Sequence, residues 1–141
     1  MRAWVTPMIH VPNVRATALW YRSIGFTLGG WHACDCEAMG SGEPPDDGEP
    51  WDWALLRYGE GVVMFDAGGR PGDSPRREVD LYIDVEPPTA DGGGGVDALH
   101  EALKDRVEVV KAPYDAFHGH RELIVRDPNG FWITFAQPVA G

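Results

Sequence analysis

The chain is short of cysteine, of lysine and of positive charge altogether, and each shortage removes a class of function. Cys34 and Cys36 are the only cysteines in 141 residues. Alternate residues of one short loop rarely meet disulfide geometry, and two thiols are too few to close a zinc site. Nothing here points to an oxidising compartment, so a cytoplasmic address is expected. Lys104 and Lys111 are the only lysines, and 12 basic side chains face 22 acidic ones, for a net charge of −10. That sign argues against a sequence-independent grip on nucleic acid or on an anionic membrane. No apolar run approaches the length of a transmembrane helix, and the opening MRAWVTPMIHV lacks the apolar stretch of a signal peptide. The Gly-x-Ser-x-Gly of a nucleophile elbow is missing. Gly92 to Gly95 precede a helical segment without the spacing or the Lys-Ser/Thr of a phosphate-binding loop, so they read as a plain loop.

What is present is ample for a core: 43% hydrophobic and 11% aromatic residues. Residues 5–11 read as a strand. Asn13 is placed to cap a helix over 14–24, where Val14, Ala18 and Tyr21 recur at helical spacing and Gly25 follows. A strand over 26–31 comes next. Residues 33–50 have no apolar period and read as a long loop of the kind that forms lids and binding loops. No Lys or Arg occurs between Arg22 and Arg57, while Asp35, Glu37, Glu43, Asp46, Asp47, Glu49 and Asp52 do. Strands over 51–58 and 61–67 form a hairpin around Gly59-Glu60-Gly61. A connector over 68–75, a strand over 79–85, a Gly-rich loop, a helix over 96–105, a short strand over 107–110, a loop over 111–119 and a hairpin of 120–126 with 131–137 complete the chain.

The order is strand, helix, three strands, and then the same again. Arg57-Tyr58-Gly59-Glu60-Gly61 leads into Val63-Met64-Phe65 much as Arg126-Asp127-Pro128-Asn129-Gly130 leads into Ile133-Thr134-Phe135. An internal duplication is the economical reading.

Three stretches carry a resemblance to a known family. Val11-Pro12-Asn13-Val14 with Leu19-Trp20-Tyr21 and Ile24-Gly25-Phe26 is one, His118-Gly119-His120-Arg121-Glu122 another, and Asp127-Pro128-Asn129-Gly130-Phe131 the third. In order and spacing they resemble the glyoxalase, bleomycin-resistance and extradiol-dioxygenase superfamily, also called vicinal oxygen chelate. The resemblance implies an α+β fold of two βαβββ modules, about 3–68 and 77–138, in a single domain. Each module would curl a mixed sheet into half a barrel, with ligand held between the two. It also implies a homodimer.

Enzymes of that superfamily hold a divalent metal by four side chains. The resemblance maps those places onto Thr6, Met64, Asp80 and Thr134. Two hydroxyls, one carboxylate and a thioether do not make a site for Zn, Ni or Fe, so no metal cofactor is expected. The spacing of His10, His118 and His120 matches no metal motif. No catalytic residue is assigned.

Strand alternation then selects the cavity lining: Thr6, Met8, His10, Met64, Asp66, Asp80, Tyr82, Trp132 and Thr134, with His118 and His120 near the mouth. Trp31, Trp51 and Trp53 lie beside the acidic loop, and alternation places Trp51 and Trp53 on one face with Asp52 opposite. Indoles there would stack on planar rings and attract cations. Trp4 and Trp20 read as core. The expected function is a metal-free protein that binds a small molecule, sequestering a cationic or aromatic antibiotic as bleomycin-resistance relatives do. The alternative is a glyoxalase-like lyase or isomerase, or a dioxygenase, acting on a small carbonyl or aromatic substrate.

Overall fold

A computed structural model describes residues 1–34, 39–69 and 79–139. The chain divides into two compact units, Met1–Asp73 and Ser74–Gly141.

The first unit holds β1 (Met8–Val11), α1 (Val14–Ser23), β2 (Thr27–Ala33), β3 (Trp51–Tyr58) and β4 (Gly61–Ala67). Its sheet runs β1-β4-β3-β2, with β1 parallel to β4 and the other pairs antiparallel. The parallel pair follows from the helix, since a crossover returns the chain in the same direction. Asn13 Oδ1 accepts from Ala16 N at 2.9 Å and caps α1. Val14, Thr17, Ala18 and Tyr21 are the buried stripe of α1. They accompany Ile9, Val11, Ala54, Leu56, Val63 and Phe65, all buried. The Tyr21 ring meets Phe65 edge-on, centroids 4.8 Å apart. The other face of this sheet carries Met8, His10, Trp53, Leu55, Met64 and Asp66, which the register sets side by side.

The second unit repeats the plan with β5 (Asp80–Asp84), α2 (Gly95–Leu103), β6 (Glu108–Asp115), β7 (His120–Arg126) and β8 (Trp132–Pro138), in the order β5-β8-β7-β6. Here α2 has no side-chain cap of its own. Gln137 Oε1, reaching from β8, accepts from Val96 N at 2.7 Å and satisfies one of the exposed donors of the first turn. Val96 and Leu103 are buried on α2, and Leu123, Val125, Ile133 and Phe135 are buried on the sheet. Asp127 ties the last hairpin: its Oδ1 accepts from Asn129 N at 2.7 Å and Phe131 N at 2.9 Å. Gly130 closes that turn at φ 90°, a conformation open to glycine.

Four local expectations are corrected. β1 starts at Met8, because Pro7 has no N–H to add to the ladder, although its carbonyl still accepts from Met64 N at 2.9 Å. The segment 111–115 is strand rather than loop: β6 continues through two register shifts, which absorb Pro113. Trp4 is 80% exposed and is no part of a core, and Trp20 is only half-buried. Much of the 68–75 connector, with Asp35, Cys36 and Glu37, lies outside the described residues.

Leu103→Ala should cost about 2–5 kcal/mol and Phe135→Ala about 3–5 kcal/mol, because Leu103 and Phe135 are 2% and 0% exposed. Leu99→Ala should cost less, since Leu99 is half-buried. Urea unfolding of the three variants checks this ranking.

Candidate functional site

The acidic loop and its tryptophans separate in the structure. The β2–β3 register shifts at Asp52, between the pairs His32–Trp53 and Ala33–Trp51. One extra residue reverses the alternation. Trp51 therefore turns to the helix side, 4% exposed, and stacks on the equally buried Trp31 with centroids 5.5 Å apart. Trp53, half-buried, stays on the opposite face. The shared face expected for Trp51 and Trp53 is thus corrected. Asp52 turns to His32, whose Nδ1 lies 2.7 Å from its Oδ1.

The described part of the acidic loop is drawn onto α1. Arg15 Nη1 donates to Asp47 Oδ1 and to the Glu49 carbonyl, both at 2.8 Å, and Nη2 donates to the Pro45 carbonyl at 2.7 Å. The same guanidinium lies 5.1 Å over the Trp51 ring. Its hydrogen bond to Asp47 holds that carboxyl below its usual value. Arg22 Nη1 pairs with Glu43 at 3.1 Å. Gly40 completes the packing, since a Cβ there would come within 2.1 Å of the Trp31 indole.

The expected cavity residues fall as follows. Met8, His10, Met64 and Asp66 are neighbours on the helix-free face of the first sheet, and His10 Nε2 is 3.6 Å from Asp66 Oδ2. Thr6 precedes β1. Asp80 and Trp132 are register partners on the second sheet, as are Tyr82 and Thr134. Met64 pairs with Met8, and Thr134 with Tyr82. Among the described residues no group of three or more His, Cys, Asp or Glu side chains is arranged to hold a metal ion.

The most organised polar cluster lies on the helix-free face of the second sheet, around a residue that alternation did not select. Glu122 is only 5% exposed, in the middle of β7. Tyr114 Oη, from β6, donates to its Oε1 at 2.6 Å, and Tyr82 Oη, from β5, donates to its Oε2 at 2.7 Å. His118 Nε2 lies 3.1 Å from the same Oε2 and 3.4 Å from Tyr82 Oη. Opposite Glu122 on β8 stands Ala136. Its small side chain leaves the phenol of Tyr82 a path across that strand. Lys111 Nζ sits 3.7 Å from the centroid of the Tyr114 ring. The His120 ring lies 5.2 Å from that of His118, and its Nδ1 is buried with no hydrogen-bond partner.

Burial pushes the Glu122 carboxyl up, but the hydrogen bonds from Tyr114 and Tyr82, with the His118 charge, outweigh it and leave it below its ordinary value. The phenols move the other way, each pushed up to about 12. For Tyr82 burial leads and Glu122 follows, while for Tyr114 the Glu122 hydrogen bond leads. The cluster is therefore an anion held ready by two neutral phenols. Tyr82 and His118 were legible in the sequence, whereas Glu122 and Tyr114 were missed. The available signal was a carboxylate directly preceding the apolar run Leu123-Ile124-Val125 within one strand, where a charge that becomes buried demands partners.

The linkage signs follow. A lowered Glu122 contributes stability above the ordinary glutamate range that is lost as pH falls through its folded value. The raised tyrosines contribute stability below about pH 10 that is lost as pH rises through about 12. Glu122→Gln should flatten the acid limb of stability. It should also return the phenolate transitions toward the ordinary range, Tyr114 further than Tyr82. Ultraviolet pH titration of the wild type, the variant and the two Tyr→Phe variants checks this.

No family model matches the chain, and no curated protein matches it. Solved structures do. A bleomycin-binding protein complexed with bleomycin superposes with TM-score 0.61 at 17% identity, over 96% of this chain and 98% of that one. A bleomycin resistance determinant encoded on the transposon Tn5 gives 0.63 at 16% identity, over 97% and 98%. A hypothetical protein from S. aureus gives 0.62 at 18%, over 99% and 95%. With its doubled βαβββ plan and two mixed sheets, the chain has the vicinal oxygen chelate fold that the bleomycin-binding proteins share.

Proposed function

We propose that this protein binds a small organic molecule bearing a cationic group, without a metal cofactor, and that Glu122 is the anchor for the cation. The observation that carries the reading is a buried, ionised carboxylate held by two tyrosine hydroxyls. Leaving water is costly for a carboxylate, and such an arrangement is maintained where the charge is used. The rings of Tyr82 and Tyr114 add aromatic surface beside the charge. Tyr82 is 52% exposed despite its bond to Glu122, so one side of the cluster is open to a ligand. The fold shared with a bleomycin-binding protein supports the binding of a small molecule, and sequestration of such a compound in the cytoplasm is the proposed role.

Metal-free bleomycin is the first probe. Calorimetric titration should show binding, and Glu122→Gln should weaken it by about 1.5–3 kcal/mol, roughly ten- to a hundredfold. Absence of binding at millimolar bleomycin, or equal binding by the variant, would overturn the assignment.

We also propose a homodimer. β1 and β2 are the edge strands of the first unit's sheet, and Trp4 and Val5, 80% and 91% exposed, precede β1. Sedimentation equilibrium should give twice the 15.5 kDa chain mass. The monomer mass alone at micromolar concentration would refute it.

A further inference from the structure

Resting on the reading of Glu122 as the anchor, we propose that its ligand presents a planar, two-pronged cation, an amidinium or guanidinium. We propose further that His118 holds that cation's place until the ligand displaces it. The argument begins with acceptor positions. An ionised carboxylate offers about four, two on each oxygen. At Glu122 three are engaged: Tyr114 on Oε1, and Tyr82 with His118 on Oε2. The departure of His118 leaves one open position on each oxygen. Two parallel N–H groups of a planar cation fill such a pair, whereas an ammonium meets it as a point charge.

His118 is the partner built to leave. Tyr82 and Tyr114 are fixed on strands β5 and β6. His118 stands on the turn before β7, between the fully exposed Phe117 and Gly119 at φ 86°, and its side chain is 40% exposed. Beside it, the buried and unpartnered His120 Nδ1 is a polar atom that a second group of the ligand would satisfy.

Displacement makes binding depend on pH. Protonated His118 competes for Glu122 as an ion, and neutral His118 competes only as a hydrogen-bond donor, so affinity rises as His118 loses its proton. The surrounding groups are Tyr82 and Asp84 from β5, Tyr114 and Lys111 from β6, and His120 from β7. Both phenols, pushed up to about 12, stay neutral through the range in which histidine titrates. His120 is the other imidazole beside His118, and a variant separates the two.

The test uses the full chain, with benzamidinium and benzylammonium titrated calorimetrically from about pH 5.5 to about pH 8. Wild type should bind benzamidinium roughly tenfold more tightly at the upper end and should prefer it to benzylammonium. His118→Ala should bind at low pH at least as tightly as wild type does at high pH, with no slope, and His120→Gln should keep the slope. Equal slopes in wild type and His118→Ala, or loss of the slope in His120→Gln alone, would overturn the displacement and leave Glu122 as anchor. Equal affinity for the two probes would overturn the two-pronged cation. Failure of both proteins to bind benzamidinium at any pH would remove the anchor as well.

Discussion

A carboxylate in the middle of β7, shut away from water, is the constraint on which the second sheet's open face depends. Glu122 needs donors on both oxygens, and no single neighbouring strand supplies them. Its partners therefore converge from β5, from β6 and from the turn before β7. Ala136 keeps the route from β5 clear, and the bulged β6 brings Tyr114 opposite Glu122. The extension of β6 past Pro113 is part of the same requirement. If that segment were a loose loop, the Oε1 donor would have no fixed position, and a half-satisfied buried anion is worse than an apolar residue.

Charge in the first unit is handled in the opposite way. Asp47 and Glu43 are exposed, but Arg15 and Arg22 draw them onto α1. Arg15, with a side chain only 14% exposed, joins a carboxylate, two loop carbonyls and the Trp51 ring. Its guanidinium suits this because it presents several donors in one plane and stacks on an aromatic face with the same atoms. Asp47, the loop carbonyls of Pro45 and Glu49 and the buried Trp31 and Trp51 thus belong to one clasp on the helix side. Of the three tryptophans expected beside a ligand, only Trp53 is left on the sheet's other face.

The architecture was legible because it is written in strong local signals. Asn13 as a cap, the stripe of Val14, Ala18 and Tyr21, and the Asp127–Gly130 turn each have a local physical cause, and each lies where the sequence places it. What was not legible depends on register. One extra residue at Asp52 decides which way Trp51 points, and composition does not reveal a bulge. Tyr114 was assigned to a loop because Pro113 and the irregular 111–119 pattern hide a strand. Glu122 was in view inside the His-Gly-His-Arg-Glu segment, but its partners lie 8 and 40 residues away. Only the sheet order β5-β8-β7-β6 brings them together.

The two units show what packing does and does not constrain. Their helix-side positions are alike: Ile9 on β1 pairs with Phe65 on β4 as Ile83 on β5 pairs with Phe135 on β8. Each must fill the space beneath one amphipathic helix, so size and apolarity are held there. The helix-free faces carry different side chains. One carries Met8, Met64, Leu55 and Trp53, with His10 and Asp66 at its edge, and the other carries Glu122, Tyr82, Tyr114 and Asp80. The repeated strand order thus supplies two similar frames whose helix-free faces carry different chemistry. The face that collected a buried carboxylate had also to acquire its tyrosines, since the anion without them has no place in the sheet.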